Sequence, residues 1–188
     1  MNININRGDW IVKNSNEAYE NAWITVRHHD VITPGGTKGI YGEVNFKNIA
    51  IGIIPIDEDG YTWRVGQFRF PINKYSWEIP EGGGPIGINP LESAKRELQE
   101  EVGYTAKQWS EFIQLDLSNS VTNERAIVFL AESLTFIGTS HKDTENLRLE
   151  RLHFSTLYQQ VLNGLITDSI SVAAVLKLAL LRPELLEI

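Results

Sequence analysis

Three glutamates, Glu97, Glu100 and Glu101, crowd the end of a short segment near the middle of the chain, which reads E-S-A-K-R-E-L-Q-E-E-V-G from Glu92 to Gly103. Carboxylates this close repel one another unless a cation joins them. Mg²⁺ suits such a position because it is a hard ion that prefers oxygen ligands and commonly bridges carboxylates to substrate phosphates. The pattern therefore allows a divalent metal site, although helical periodicity alone would favour a solvated acidic face.

The segment that carries these glutamates is predicted to be an amphipathic helix. Asn89 suits the N-cap, Pro90 suits the first helical position, and Gly103 suits the C-terminal end. At about 100° per residue, four apolar residues share one arc that should pack on a sheet: Leu91, Ala94, Leu98 and Val102. Glu97 and Glu101 then lie one turn apart on a different arc.

A run of glycines, Gly82 to Gly84, precedes this helix. Glycines let a backbone approach a ligand closely and expose its N–H groups to an anion. A glycine-rich loop alone is a weak signal, since turns also use glycine. Here the loop leads directly into the acidic helix, and this combination favours a metal and phosphate site over a solvated helix face.

Together the two segments resemble the Nudix hydrolases, whose box reads G, five residues, E, seven residues, then R-E-U-x-E-E-x-G-U, with U bulky and apolar. Gly82 opens the box, and Arg96 to Tyr104 supplies its second half in full. The resemblance implies that Glu97, Glu100 and Glu101 hold Mg²⁺, or Mn²⁺ as an alternative. It also implies catalytic roles for Glu101 and Arg96.

One position departs from the box, because Ile88 stands where the middle glutamate is expected. That glutamate supports the helix arginine in the family, so its absence raises the alternative of a catalytically weakened nucleotide-sugar sensor. Glu92 lies one turn before Arg96 in the favourable acid-then-base order. We therefore expect Glu92 to become the partner of Arg96.

Upstream, the resemblance narrows to the ADP-ribose and nucleoside-diphosphate-sugar pyrophosphatases, through Gln67-Phe68-Arg69-Phe70-Pro71 and Glu78-Ile79-Pro80-Glu81-Gly82-Gly83. It implies that Arg69 binds substrate phosphate, for which a bidentate guanidinium is well suited. It also implies that Gly82 and Gly83 line the phosphate site and that the backbone carbonyl of Glu81 is a metal ligand. The expected reaction is hydrolysis of a nucleoside diphosphate sugar to a nucleoside monophosphate and a sugar phosphate, with GDP-mannose-type substrates left open.

The general base is implied to lie on a late polar segment, residues 138–146. Glu145 is our first choice and Asp143 our second. Glu124, in a polar run between two predicted strands, is a further candidate for a metal ligand, the base or a sugar contact. Trp10 and Trp23 are candidates to stack on the nucleotide base, and a core or interface role is the alternative for each.

Composition restricts the functional classes. The chain has 188 residues, no Cys and a formal net charge of −7, which argues against a nucleic-acid partner. Its longest apolar stretch is too short to span a bilayer, and no secretory leader is recognisable, so we expect no membrane role and a reducing, cytoplasmic setting.

Strand-like segments flank the central helix, and helix-like segments follow at 154–163 and 169–181. This order predicts an α/β (α+β) fold, a Nudix-type α/β/α sandwich around a mixed sheet. Residues 1–46 are predicted to form a small N-terminal β subdomain and residues 47–188 the Nudix hydrolase domain. The family resemblance further implies a homodimer in which the N-terminal subdomain is often exchanged between subunits.

Overall fold

A computed structural model of the chain describes residues 4–138 and 147–187. Its internal contacts divide the chain into two units. The first comprises Met1–Ile49 and Asp116–Arg125, and the second comprises Ala50–Leu115 and Ala126–Ile188. A segment from the middle of the sequence thus joins the N-terminal strands, which the linear pattern of the sequence does not indicate.

The N-terminal unit is built on a four-stranded antiparallel sheet in the order β1-β2-β3-β4. Its strands are β1 (Ile5–Arg7), β2 (Trp10–Glu20), β3 (Ile24–Ile32) and β4 (Lys38–Phe46). Segment 116–125 lies along β4, since the Val44 N–H donates to the Val121 carbonyl at 2.9 Å and the Asn123 N–H donates to the Val44 carbonyl at 3.3 Å. These backbone bonds fix the segment to the sheet.

The second unit contains two sheets, ordered β8-β5-β10-β9 and β11-β6-β7. Its strands are β5 (Asn48–Pro55), β6 (Tyr61–Arg69), β7 (Lys74–Glu78), β8 (Glu81–Pro85), β9 (Tyr104–Asp116), β10 (Arg125–Phe136) and β11 (Arg148–His153). Strands β5 and β10 pair in parallel, whereas β6 pairs antiparallel with both β7 and β11. Ile51, Ile53 and Ile54 of β5 are fully buried, as expected for a strand covered on both faces.

In the described ranges, three α-helices accompany these sheets: α1 (Pro90–Glu97), α2 (Phe154–Leu162) and α3 (Ser169–Leu181). A π-helical turn, Leu98–Val102, continues α1, and short 3₁₀ turns occupy Phe70–Ile72 and Pro183–Leu186. Among the described residues, no helix combines the length and apolar character needed to cross a membrane.

The mixed sheets and few helices confirm the predicted α+β class. Two local expectations were wrong. The glycine run is part of strand β8 rather than a loop, and the predicted helix is α-helical only as far as Glu97. Both differences lie at the predicted site and change its geometry.

Candidate active site

Helix α1 begins and packs as its sequence predicts. The Asn89 side-chain oxygen accepts the Leu91 N–H at 3.0 Å, and Pro90 occupies the first turn. On the predicted apolar arc, Ala94, Leu98 and Val102 are buried and Leu91 is half-buried. The helix is therefore anchored through this arc, which fixes the positions of the glutamates beside it.

The π-helical turn changes where those glutamates point. Gly103, with φ of 80°, ends the turn, and its N–H donates to the Leu98 carbonyl at 3.2 Å and the Gln99 carbonyl at 3.0 Å. A π turn is wider than an α turn, so successive side chains advance by less than about 100° around the axis. Glu97 and Glu101 are only 8% and 6% exposed, so a solvated acidic face is wrong for these two residues.

Gly82 in β8 leaves room for the Glu97 carboxylate. A Cβ atom built on Gly82 would collide with the carboxylate carbon and with Oε1 of Glu97, and would lie 2.6 Å from Oε2. The absence of a side chain thus lets a buried carboxylate approach the β8 backbone. In this structure, Gly82 permits the close approach of Glu97 to the strand.

A backbone bond ties Glu101 to the same strand. The Glu81 N–H donates to Oε2 of Glu101 at 3.0 Å. A carboxylate that accepts a backbone N–H is fixed in orientation, and the bond offsets part of the cost of burying it. Strand β8 therefore holds both glutamates, Glu97 through the gap at Gly82 and Glu101 through this N–H.

Arg96 connects the helix to β8. Its Nη2 donates to Oε1 of Glu97 at 2.5 Å and to the Gly83 carbonyl at 3.0 Å, and its Nη1 donates to Oε2 of Glu100 at 2.8 Å. Burial acts to lower the pKa of Arg96, but the charge of Glu97 outweighs it, and the pKa is raised. Arg96 stays charged and orients two of the three box glutamates.

The expected pairing of Glu92 with Arg96 was wrong. Glu92 is exposed, and its Oε1 accepts from Lys95 Nζ at 2.8 Å. The Gly83 carbonyl and the box glutamates occupy the guanidinium of Arg96 instead. Ile88, where the family pattern has glutamate, is 54% exposed. Direct contact between Arg96 and the strand backbone thus links helix and strand without a glutamate at position 88.

Arg69, at the end of β6, lies between two carboxylates. Its Nε donates to Oε1 of Glu78 at 2.9 Å, its Nη2 also contacts Glu78, and Nη2 lies 2.7 Å from Oε1 of Glu81. Burial works to raise the pKa of Glu78, yet the hydrogen bonds from Arg69 outweigh it, and the pKa is lowered. The two carboxylates thus hold the guanidinium in a fixed position.

Glu81 is the unusual carboxyl of the group. Burial raises its pKa well above the ordinary value, the charges of Asp168 and Glu78 add to the rise, and Arg69 only partly opposes it. Among the described residues, its Oε2 is buried without a hydrogen-bond partner. A carboxyl in these surroundings binds a proton or a cation more readily than an exposed one.

Sequence reasoning did not identify Asp168. Carboxylate oxygens of Glu78, Glu81 and Asp168 lie within 4.8 Å of one another. Asp168 also caps α3, because its side chain accepts the Ser171 N–H at 2.7 Å. Asp before a Ser-Ile-Ser segment predicts a helix start, but nothing local in the sequence indicates that this helix begins beside β7 and β8.

The structure brings together most of the predicted site residues: Arg69, Glu81, Gly82, Gly83, Arg96, Glu97, Glu100 and Glu101. Trp10, Trp23 and Glu124 belong to the N-terminal unit. There Trp23 is 65% exposed, Trp10 is half-buried, and the Glu124 backbone N–H donates to Thr122 Oγ1 at 3.2 Å. Glu145 and Asp143 lie outside the described residues.

The donor set fits a hard divalent cation. Four carboxylates bond to the guanidinium groups of Arg69 or Arg96: Glu78, Glu81, Glu97 and Glu100. Asp168 lies near Glu78 and Glu81, and Glu101 accepts the Glu81 N–H. Carboxylates grouped in this way disfavour one another's ionisation, and a divalent cation with oxygen ligands would offset that repulsion. An acidic cluster is therefore present, and the carboxylate oxygens shown within 4.8 Å of one another in it belong to Glu78, Glu81 and Asp168.

Comparison with known proteins defines the class. Residues 47–161 match the NUDIX domain family, and residues 10–44 match the nucleoside diphosphate sugar hydrolase N-terminal domain. The chain is 30% identical over 172 residues to an ADP-ribose pyrophosphatase of Mycobacterium tuberculosis, covering 89% of this chain and 82% of that protein. An ADP-ribose pyrophosphatase of Bacillus subtilis is 35% identical over 108 residues, 57% of this chain and 58% of its own length.

A solved structure described as an ADP compounds hydrolase superposes with a TM-score of 0.81 at 19% identity, covering 92% of this chain and 94% of that one. This similarity supports the fold. Since the NUDIX match spans more than half of the chain, the protein belongs to the Nudix hydrolase family. In this chain, Arg96 bonds to Glu97 and Glu100, and Glu101 bonds to the Glu81 N–H. The chain is a Nudix pyrophosphohydrolase.

Proposed function

We propose that this protein hydrolyses the pyrophosphate bond of ADP-ribose, or of a closely related nucleoside diphosphate sugar, in a reaction that depends on Mg²⁺. The products would be a nucleoside monophosphate and a sugar phosphate. The observation that carries the proposal is the pair of buried carboxylates, Glu97 and Glu101, held against β8 at Gly82 and at the Glu81 N–H. Similarity to two ADP-ribose pyrophosphatases supports the choice of substrate.

Glu97, Glu101 and the backbone carbonyl of Glu81 would hold the Mg²⁺, with Glu100 beside them and Mn²⁺ as an alternative ion. When bound, the metal neutralises phosphate charge and lowers the pKa of the attacking water. Arg96 orients Glu97 and Glu100, and its bond to the Gly83 carbonyl fixes the helix against strand β8. These bonds would hold the carboxylates in place before substrate arrives.

Arg69 would bind a substrate phosphate. A guanidinium has five N–H donors, and Glu78 and Glu81 take up those on Nε and Nη2. The two carboxylates position the group without exhausting its donors. The backbones of Gly82 and Gly83 would line the same phosphate site.

The remaining roles come from the family resemblance. Trp10 and Trp23 would contact the nucleotide base, and the high exposure of Trp23 suits a ring that stacks on a ligand. Glu145 would activate the attacking water, with Asp143 and Glu124 as alternatives. A homodimer is the proposed assembly, with residues 1–46 as its N-terminal subdomain.

The test is release of AMP and ribose 5-phosphate from ADP-ribose with Mg²⁺. Glu101→Gln should lower kcat at least about 100-fold, because a metal supplies several kcal/mol to the transition state and about 1.4 kcal/mol corresponds to tenfold. Glu92→Gln, on the exposed side of the same helix, is the matched control and should behave as wild type. Running GDP-mannose and other nucleotide sugars in parallel decides among substrates.

The alternative of a nucleotide-sugar sensor rests on Ile88, and the same experiment separates it from the enzyme. A sensor would bind ADP-ribose tightly in calorimetry while the wild-type protein released no AMP. Turnover by the wild type that disappears in Glu101→Gln would contradict the sensor.

A further inference from the structure

Ser171, in the first turn of α3, carries a buried hydroxyl that the proposed hydrolysis does not yet use. Serine is mostly exposed in proteins, and a buried hydroxyl needs a hydrogen-bond partner. The Ser171 Oγ accepts the Ile79 N–H at 2.9 Å, and both residues are fully buried. The Ser171 N–H is satisfied separately, since it donates to Oδ2 of Asp168 at 2.7 Å. The hydroxyl thus joins α3 to a segment 92 positions earlier in the chain.

That segment is the two-residue link, residues 79–80, between strands β7 and β8. The Ser171 hydroxyl holds its first N–H, and the Pro80 carbonyl accepts the Ile53 N–H of β5 at 2.8 Å. Proline has no N–H to donate, so few further backbone bonds are available to hold so short a link. The link is therefore fixed by one bond from α3 and one bond from β5.

The residues that flank this link are ones on which the proposed chemistry depends. Glu78, immediately before it, accepts from Arg69 Nε at 2.9 Å. Glu81, immediately after it, supplies the carbonyl proposed for the metal, and its N–H donates to Oε2 of Glu101 at 3.0 Å. Because neighbouring Cα atoms stay about 3.8 Å apart, a shift of the link must move the glutamates beside it. The position of Ile79 therefore helps to place both the phosphate-binding guanidinium and the metal ligands.

The start of α3 contacts the same region at two further points. A carboxylate oxygen of Asp168 lies within 4.8 Å of oxygens on both flanking glutamates, and Lys74 Nζ lies 3.1 Å from Thr167 Oγ1. Neither contact attaches the helix firmly, because grouped carboxylates repel one another and the lysine contact is exposed to competing water. Of these three contacts, the buried Ser171 bond is the one that holds the helix start against the link.

We propose that Ser171 is a positioning residue for the hydrolysis. Through the Ile79 N–H it fixes the link, and through the link it aligns Arg69 and the Glu81 carbonyl. The inference rests on the proposed function, since it concerns the same reaction. It adds a residue that lies far beyond the box in the sequence and that would touch neither substrate nor metal. Removing its hydroxyl takes this partner from a buried N–H, which lowers stability and allows the link to move.

The test compares Ser171→Ala with Ser155→Ala. Ser155 is the matched control, because it is also a buried serine in the first turn of a C-terminal helix, and its Oγ lies 2.8 Å from Nδ1 of His153. Each variant removes one buried hydrogen bond, so we expect each to lower Tm by about 2–12 °C. Below both Tm values, Ser171→Ala should lower kcat for AMP release from ADP-ribose with Mg²⁺ by about 10- to 100-fold, since a displacement of about 1 Å can cost 10²-fold. Ser155→Ala should keep the wild-type kcat.

A spectroscopic measurement in EDTA separates positioning from loss of stability, because it requires neither metal nor turnover. In ¹⁵N NMR of the full chain, the Arg69 Nε–H and Glu81 amide signals should shift in Ser171→Ala and stay unchanged in Ser155→Ala. Ser171→Cys keeps a side chain of similar size whose sulfur is a weaker acceptor. Its kcat should fall between those of wild type and Ser171→Ala, and it keeps the test decisive if Ser171→Ala does not fold.

Three results would each overturn the positioning role of Ser171. They are a wild-type kcat in Ser171→Ala or Ser171→Cys, equal losses of kcat in Ser171→Ala and Ser155→Ala, and Arg69 and Glu81 signals that do not shift. Failure of the proposed function gives a different result, because the wild type itself would then release no AMP from ADP-ribose, and the positioning role would fall with it.

Discussion

Gly82→Ala would place a methyl group against the buried carboxylate of Glu97, and we expect it to lower both stability and activity. The new Cβ would lie 2.6 Å from Glu97 Oε2, and real Cβ atoms essentially never approach other atoms within 3.0 Å. Glu97 has little freedom to retreat, since it is buried and Arg96 holds its Oε1 at 2.5 Å. Either β8 or the Glu97 side chain must move.

The size of the effect follows from known costs of crowding. Inserting a methyl group into a packed region costs about 1–3 kcal/mol, which for a chain of this size lowers Tm by roughly 2–12 °C. Displacing a catalytic group by about 1 Å can cost 10²-fold in rate. We therefore expect kcat for AMP release from ADP-ribose to fall roughly 100-fold, beyond what the stability loss alone explains.

Two further variants show whether the cause is steric. Gly42→Ala is the control, because a Cβ there would meet nothing within 4 Å, and it should leave kcat unchanged. Gly82→Ala combined with Glu97→Asp shortens the crowded side chain by one methylene. The double variant should have a Tm closer to wild type than Gly82→Ala alone, while its kcat stays low. Such non-additive changes are expected for residues in contact. Wild-type Tm and kcat in Gly82→Ala, or an equal loss in Gly42→Ala, would refute the reasoning.

Three other predictions concern metal, pH and the helix surface. Mg²⁺ at 100 times its Kd should stabilise the wild type by about 2.7 kcal/mol, a rise in Tm of roughly 5–11 °C, and differential scanning calorimetry should show no such rise in Glu101→Gln; an equal rise would place the ion elsewhere. The pKa of Glu81 in the folded state is raised above its ordinary value of 4.5. At a pH between these two pKa values, the folded protein therefore binds a proton that the unfolded chain has lost. The free energy of unfolding consequently falls as the pH rises through that interval. Glu81→Gln in EDTA should remove this decline, so its Tm advantage over wild type should grow as the pH is raised from about 4.5; parallel Tm–pH curves would contradict it. Glu92→Gln breaks only an exposed ion pair with Lys95 and should change stability by less than about 1 kcal/mol in urea unfolding; a larger loss would restore a supporting role for Glu92.

Local sequence signals predicted the elements around the site well. The Asn-Pro start of α1 and the apolar arc of Ala94, Leu98 and Val102 depend on neighbours in the sequence, and the structure contains both. The grouping of Arg69 with the box residues came from the family pattern. These features are encoded in short, contiguous motifs.

Features decided by packing escaped prediction. The π turn at Leu98–Val102 differs from an α turn by one hydrogen-bond register, and periodicity does not separate the two. The i,i+4 spacing of Glu92 and Arg96 suited a pair, but Lys95 and the Gly83 carbonyl offered competing partners. Asp168 reaches Glu78 and Glu81 only because α3 starts beside them. The contacts of Arg96 with Gly83 and of Asp168 with Glu78 and Glu81 join segments far apart in the sequence, which local patterns do not indicate.

The inserted segment 116–125 has a consequence for how this protein can be recombined. The chain passes between the two units at residues 49–50, 115–116 and 125–126. In a chimera that takes only the N-terminal strands from a relative, the native Val121 and Asn123 would lie against a foreign β4. The backbone bonds that they make with Val44 would then have to form with a strand of different sequence. The inherited module is therefore discontinuous, and an exchange that preserves it must carry both pieces together.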